Sequence, residues 1–245
     1  MYRAKADFFW WPATEWLRRH SGNVDEADMI AAFENLDTEF QVRQALNCLE
    51  SISEAVADAA ASALIRINAI DSIFMLRDFR ERDQLEVLRR LREEAEAPEI
   101  RRAAQRELAE AGDVEAQRAE LAAMRVELAA NANAYRPEGF SWAKAARPEV
   151  MDELAALLRQ VAESGVGDRS GIDRSLQTAL AATRDERALE AYDAVIGDTS
   201  IEGSSFFRYQ RDALARQLSR EAALARLPER LADVAQWAID RGLQI

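Results

Sequence analysis

The chain holds one histidine, one cysteine and two lysines in 245 residues. Each scarcity removes a class of chemistry. His20 sits beside Arg18 and Arg19, a position suited to a helix end, and a serine–histidine–acid triad would have to use it. Cys48 has no second cysteine to pair with, and its apolar-periodic surroundings suit a small core filler. One His and one Cys far apart offer no standard zinc set, and neither a Glu-x-x-His pair nor a calcium-loop spacing occurs. Gly165-Val166-Gly167-Asp168 is too short for a phosphate loop and no Gly-Lys-Ser/Thr follows it, so no cofactor is expected. No apolar run approaches the ~18 residues of a membrane span. Phe8-Phe9-Trp10-Trp11 lacks a small-residue cleavage site after it, and the expected location is the cytoplasm.

Positive charge is also short. Lys and Arg total 32 against 44 acids, a net charge of −12, which argues against nucleic acid as a partner. The imbalance is greatest over residues 21–60, where Arg43 faces nine acids: Asp25, Glu26, Asp28, Glu34, Asp37, Glu39, Glu50, Glu54 and Asp58. That stretch is either a solvated face or a dock for a basic protein. The basic residues are almost all arginine (only Lys5 and Lys144 differ), as in a GC-rich bacterial genome.

What the chain does have is helix-forming material. Hydrophobic residues are 49 % and charged residues 31 %, while proline (5) and glycine (9) are too few to interrupt helices often. Apolar residues at spacings of three and four predict helices near 12–20, 25–36 and 38–52. Met29, Ile30, Phe33 and Leu36 share one face of the second; Val42, Ala45, Leu46, Leu49 and Ile52 share one of the third. Ile70, Ile73, Phe74 and Leu76 are expected on a short helix, and Leu85, Leu88 and Leu91 on a longer one. Two helices, near 209–225 and 228–241, are expected to end the chain.

A phrase recurs. Pro98-Glu99-Ile100-Arg101-Arg102-Ala103-Ala104, running on through Leu108 to Gly112, repeats the spacing of Val56, Ala60, Leu64 and Asn68 at an offset of 44 residues. Pro98 suits a first helical turn, and Gly112 and Asn68 suit the left-handed residue that ends a helix. Partial copies follow at Pro148-Glu149-Val150 with Leu154, Leu157, Leu158 and Val161, at Ile172, Leu176, Ala179 and Leu180, and at Phe206, Gln210, Ala213 and Leu214.

With Ile100, Arg101, Ala104, Leu108 and Gly112-Asp113, the phrase resembles the second helix of HEAT-like and armadillo-like repeats, most closely their short form. The resemblance spans most of residues 25–220 and is strong over 98–113. It implies an all-α fold, an irregular right-handed α–α superhelix of about 10–12 helices, acting as a scaffold, and it carries over no catalytic residue. The layout expected is a single solenoid over 1–245: an aromatic N-terminal cap (1–24), two three-helix units (25–113), irregular repeats with a loop at 131–148 (114–220), and a C-terminal cap (221–245) bearing Leu231, Val234, Trp237 and Ile239. Residues 197–205 are expected to form a second loop.

Solenoid loops carry function because helices hold them, and Tyr135, Arg136, Phe140 and Trp142 supply residue types that anchor interfaces. Phe140 and Trp142 could equally tuck beneath the loop to seal a gap between repeats. With Glu34, Asp37 and Glu39 of the acidic stretch, they form the candidate binding set. The expected function is non-enzymatic: a scaffold or adaptor for another protein, with a basic partner as one option and inhibition of a toxin as one subcase. A competing enzymatic reading is a HEAT-like DNA alkylpurine glycosylase. That group resembles this chain in size and architecture but relies on a basic concave face, and no motif of it matches here residue by residue. A chromophore-lyase-like protein is a third reading, and a module of a larger multidomain protein is a fourth. The oligomeric state is left open.

Overall fold

The computed structural model describes residues 26–47, 53–130, 140–164, 171–198, 201 and 204–225, and every regular element among them is helical. The chain divides into two compact units, Met1–Glu120 and Leu121–Ile245. The aromatic residues up to Trp16, His20, Cys48, Leu49 and Ile52, Tyr135 and Arg136, the Gly165–Asp168 connector, and Leu231 to Ile239 all lie outside the described residues.

The first unit contains α1 (Glu26–Glu34), α2 (Glu39–Asn47), α3 (Glu54–Ile67), a 3-10 helix (Ile70–Met75) running into α4 (Leu76–Glu81), α5 (Leu85–Glu94) and α6 (Pro98–Glu110). α7 (Val114–Ala130) starts within it and ends in the second unit. α3 lies against α1 and α5, α5 against α6, α2 against the 3-10 helix, and α6 against the 3-10 helix and α4.

The recurring phrase is core. Val56, Ala60 and Leu64 in α3 and Ile100, Ala104 and Leu108 in α6 are all buried, position for position at the 44-residue offset. The helix ends repeat as well. The Asn68 N–H donates to Ile65 and the Ala69 N–H to Leu64, both at 3.1 Å; 44 residues later the Gly112 N–H donates to Ala109 and the Asp113 N–H to Leu108, both at 3.0 Å. Asn68 (φ 55°) and Gly112 (φ 86°) hold the left-handed conformation that lets the chain turn back onto those orphan carbonyls. The starts differ. Ser53 caps α3 by accepting the Val56 N–H on its hydroxyl at 3.3 Å, whereas α6 begins on Pro98, which has no N–H to satisfy.

Arginines close other helix ends. Arg66 donates to the Leu36 (2.6 Å) and Phe33 (3.1 Å) carbonyls behind α1. Arg101, inside the phrase, donates to the Ala95 (2.6 Å) and Glu96 (2.8 Å) carbonyls behind α5. A guanidinium suits this work because its planar fork reaches two acceptors at once.

The short helix expected around Ile70–Leu76 is present, and its winding is not uniform. Its first six residues wind as a 3-10 helix, in which residues three apart eclipse. Ser72 and Met75 therefore turn inward together, and Asp71 and Phe74 turn outward together. Phe74 ends 61 % exposed although its apolar spacing reads as core.

The second unit contains two 3-10 turns, Ser141–Ala145 and Pro148–Val150, then α8 (Met151–Ser164), α9 (Gly171–Thr183), α10 (Arg187–Gly197) and α11 (Ser204–Ala225). α8 packs on α9 and α10, and α11 packs on α9 and α10. Leu154, Leu157, Leu158 and Val161 of α8 and Ile172, Leu176, Ala179 and Leu180 of α9 are buried, so these two worn copies of the phrase also face inward; of the last, Gln210 and Leu214 of α11 are buried while Phe206 and Ala213 are half-buried. The loop expected at 131–148 is regular in its second half, because Phe140, Trp142, Ala143 and Ala146 are all buried and fix the backbone around them. Likewise α11 starts at Ser204, five residues ahead of the expected 209, with buried Phe207 and Gln210 extending the three-and-four spacing upstream.

Candidate functional site

A concentration of one charge lines a groove of about 870 Å³ in the first unit, between the start of α1, the start of α3 and one face of α5. Glu26 projects from the first turn of α1. Glu54 and Asp58 stand one turn apart on α3. Glu86, Glu93 and Glu94 follow from α5, where spacings of seven and eight keep them on one side. All six are exposed.

Two arginines enter the same groove, and both are engaged. Arg90 bonds Glu94 at 3.0 Å and reaches across to Asp58 of α3 at 2.5 Å. Arg89 pairs with Glu86 and, at 3.0 Å, with Asp113 beyond α6. Six carboxylates against two guanidiniums leave four net negative charges along the walls. Among the described residues, Glu26 and Glu54 have no ion-pair partner. Exposed pairs contribute little to stability individually; the direct packing of α3 on α5 sets the spacing of these walls, and the Arg90–Asp58 pair spans them.

Asp113 is the best-built acid near the groove. It caps α7 by accepting the Ala116 N–H at 3.0 Å while its other oxygen takes Arg89. Burial alone would raise its carboxyl; the Ala116 N–H and the Arg89 guanidinium outweigh that and hold it below the usual carboxylate range. Glu107, on α6, moves the other way: its burial pushes the carboxyl up despite the opposing charge of Arg80, 3.3 Å away.

The candidate binding residues fall into three groups. Glu34 and Asp37 are exposed, at and just beyond the end of α1. Glu39 is half-buried and accepts the Ser72 N–H at 3.2 Å, joining α2 to the 3-10 helix. These three lie toward the far end of α3 from Ser53 and Asp58, because Arg66 and the 3-10 helix adjoin them there. Phe140 and Trp142 are buried with ring centroids 4.6 Å apart, on a turn that packs against α9. The Trp142 indole N–H meets no acceptor among the described residues. Tyr135 and Arg136 lie outside the described residues.

Sequence reasoning identified the acidic stretch, and Glu26, Glu54 and Asp58 come from it. It did not single out Glu86, Glu93 and Glu94. A usable signal existed: the three share one side of α5, turned away from the buried Leu88 and Leu91.

The second unit carries a buried polar contact of another kind. The Tyr192 hydroxyl of α10 donates to Gln210 Oε1 of α11 at 3.2 Å. Burial, and then the charge of Asp173, push that hydroxyl far above the ordinary phenol range, so it stays protonated and serves as a fixed donor. Among the described residues no group of three or more His, Cys, Asp or Glu side chains is placed to hold a metal ion. No helix among them is long and apolar enough to cross a membrane.

No family model, curated protein or solved structure matches the chain.

Proposed function

We propose that this chain is a non-enzymatic helical-repeat scaffold, of HEAT-like or armadillo-like construction, whose acidic groove holds a basic segment of another protein. Support for the repeat construction comes from α3 and α6, whose buried triads and terminal hydrogen bonds recur at one offset. Packing of each helix on its near neighbours is the pattern such stacks use. The observation that carries the function is the groove itself: six exposed carboxylates with only two arginines among them, both already occupied. Such a surface attracts cations without needing chemistry, and it speeds encounter with a basic partner more than it sets final affinity.

The test is a titration of the full chain with a fluorescent lysine–serine peptide, followed by anisotropy. Binding should weaken steeply with salt, as the Debye length falls from ~10 Å at 0.1 M to ~3 Å at 1 M. Glu26→Gln with Glu54→Gln should lower affinity by about fivefold to tenfold, each carboxylate contributing up to ~1 kcal/mol. Tight, salt-independent binding, or no effect of the two substitutions, would refute the assignment.

A further inference from the structure

Three of the large exposed apolar side chains belong to one small region of the first unit: Phe40 at 53 %, Phe74 at 61 % and Ile70 at 37 % exposure. Their elements are joined by a hydrogen bond from the Ser72 N–H to the Glu39 carboxylate, and each of the three residues lies within two positions of one end of that bond. The exposure has a structural cause. The 3-10 winding that buries Ser72 and Met75 turns Phe74 outward with Asp71, and the stripe that buries Val42, Ala45 and Leu46 leaves Phe40 outside it. Exposed apolar groups gathered in this way mark a docking face more often than scattered ones do.

The charges around the face select its occupant. Asp37, Asp71 and Asp78 are exposed beside it. Among the cations near the face, Arg43 lies over the Phe40 ring, 5.8 Å from its centroid, Arg77 is paired with Glu81, and Arg66 is held by the Leu36 and Phe33 carbonyls. A second copy of the chain would bring a further −12 to this acidic surface, which disfavours self-association. α3 has 14 residues and so is about 21 Å long; the acidic groove opens at its start and the apolar face follows its end. We infer that the face of Phe40, Ile70 and Phe74 is a second contact for the same partner, and that this partner presents a basic amphipathic helix, its apolar side on these three residues and its cations toward the surrounding acids. The inference rests on the scaffold reading and narrows the partner from any basic segment to a helix with an apolar stripe.

Two synthetic peptides of about 14 residues, long enough to match α3, separate the two ideas. One is a lysine–leucine amphipathic helix. The other carries the same lysines with serine in place of leucine. Both are titrated against the full chain at low salt. The wild-type chain should bind the leucine peptide at least about tenfold more tightly than the serine peptide. Phe40→Ala with Phe74→Ala should remove that advantage and leave the serine peptide's affinity unchanged. Both side chains are largely exposed, so the double variant should keep its helical circular dichroism; Phe40→Leu with Phe74→Leu, which keeps an apolar surface, should restore the preference. If the alanine variant still prefers the leucine peptide, the face is not used and the inference fails while the groove reading stands. If neither peptide binds, the groove reading fails and this one falls with it. A wild-type dimer that the alanine variant converts to monomer, by light scattering, would assign the face to a second copy and overturn the inference.

Discussion

Truncating Leu108 to alanine should cost about 3–4 kcal/mol of stability, and truncating Leu64 should cost nearly the same. Both side chains are essentially inaccessible to solvent, at 0 % and 1 % exposure. Each substitution removes three carbon groups, worth roughly 2.4 kcal/mol at ~0.8 kcal/mol per group. The cavity left behind adds to that wherever the neighbours cannot collapse, which brings Leu→Ala changes into the ~2.7–5 kcal/mol range. The equality matters more than the size. Leu64 and Leu108 sit at the same position of two copies of the phrase, and each supplies the carbonyl that accepts the final N–H of its helix cap. The assay is urea denaturation followed at 222 nm, with midpoints and slopes compared among wild type, Leu64→Ala and Leu108→Ala. Both lie in the unit Met1–Glu120, so both should shift the same transition. A cost below ~1 kcal/mol for either, or a difference above ~2 kcal/mol between them, would refute the claim that the two copies do the same structural work.

Gly112→Ala should destabilise by about 1–2 kcal/mol, because φ of 86° places a Cβ in the left-handed region, whereas Asn68→Gly should change stability by only a few tenths; chemical denaturation reads both. Asp113 should make the first unit sensitive to acid. Its folded carboxyl titrates below its unfolded value, so the stability it adds is complete above about pH 4 and is lost as pH falls through the lower folded value. Asp113→Asn should flatten the stability–pH curve in that window, and an unchanged slope would contradict the cap and the Arg89 contact as its cause. Glu107 works in the opposite sense. Its carboxyl titrates above the unfolded value, so Glu107→Gln should relieve a cost that is felt above the raised value and absent below the unfolded one.

The phrase at 98–112 was the part of the fold most legible in the chain, because a three-and-four spacing of small and branched residues has one efficient use: burial against neighbouring helices. Its caps were legible for the same kind of reason, since few residues tolerate a positive φ and Asn68 and Gly112 are of the types that do. The 3-10 winding at Ile70–Met75 was not legible. Its apolar residues fit a period of 3.6 as well as one of three, and only packing decides which face turns outward. The aromatic pair Phe140 and Trp142 shows the matching ambiguity on the functional side. The residue types that anchor interfaces also fill cores, and here the turn they occupy lies against α9. The groove was half legible. Glu26, Glu54 and Asp58 stood out by density, whereas Glu86, Glu93 and Glu94 sit among five arginines of α4 and α5 whose charges mask them in any linear count.

The measurement that bears most directly on the scaffold reading is zero-length carbodiimide cross-linking of the full chain to the lysine–serine peptide, with the joined carboxylates located by mass spectrometry. Bonds should form at the groove, chiefly at Glu26, Glu54 and Glu93, and should disappear at high salt. Cross-links concentrated instead on carboxylates of the second unit, such as Asp152 or Asp193, would contradict it.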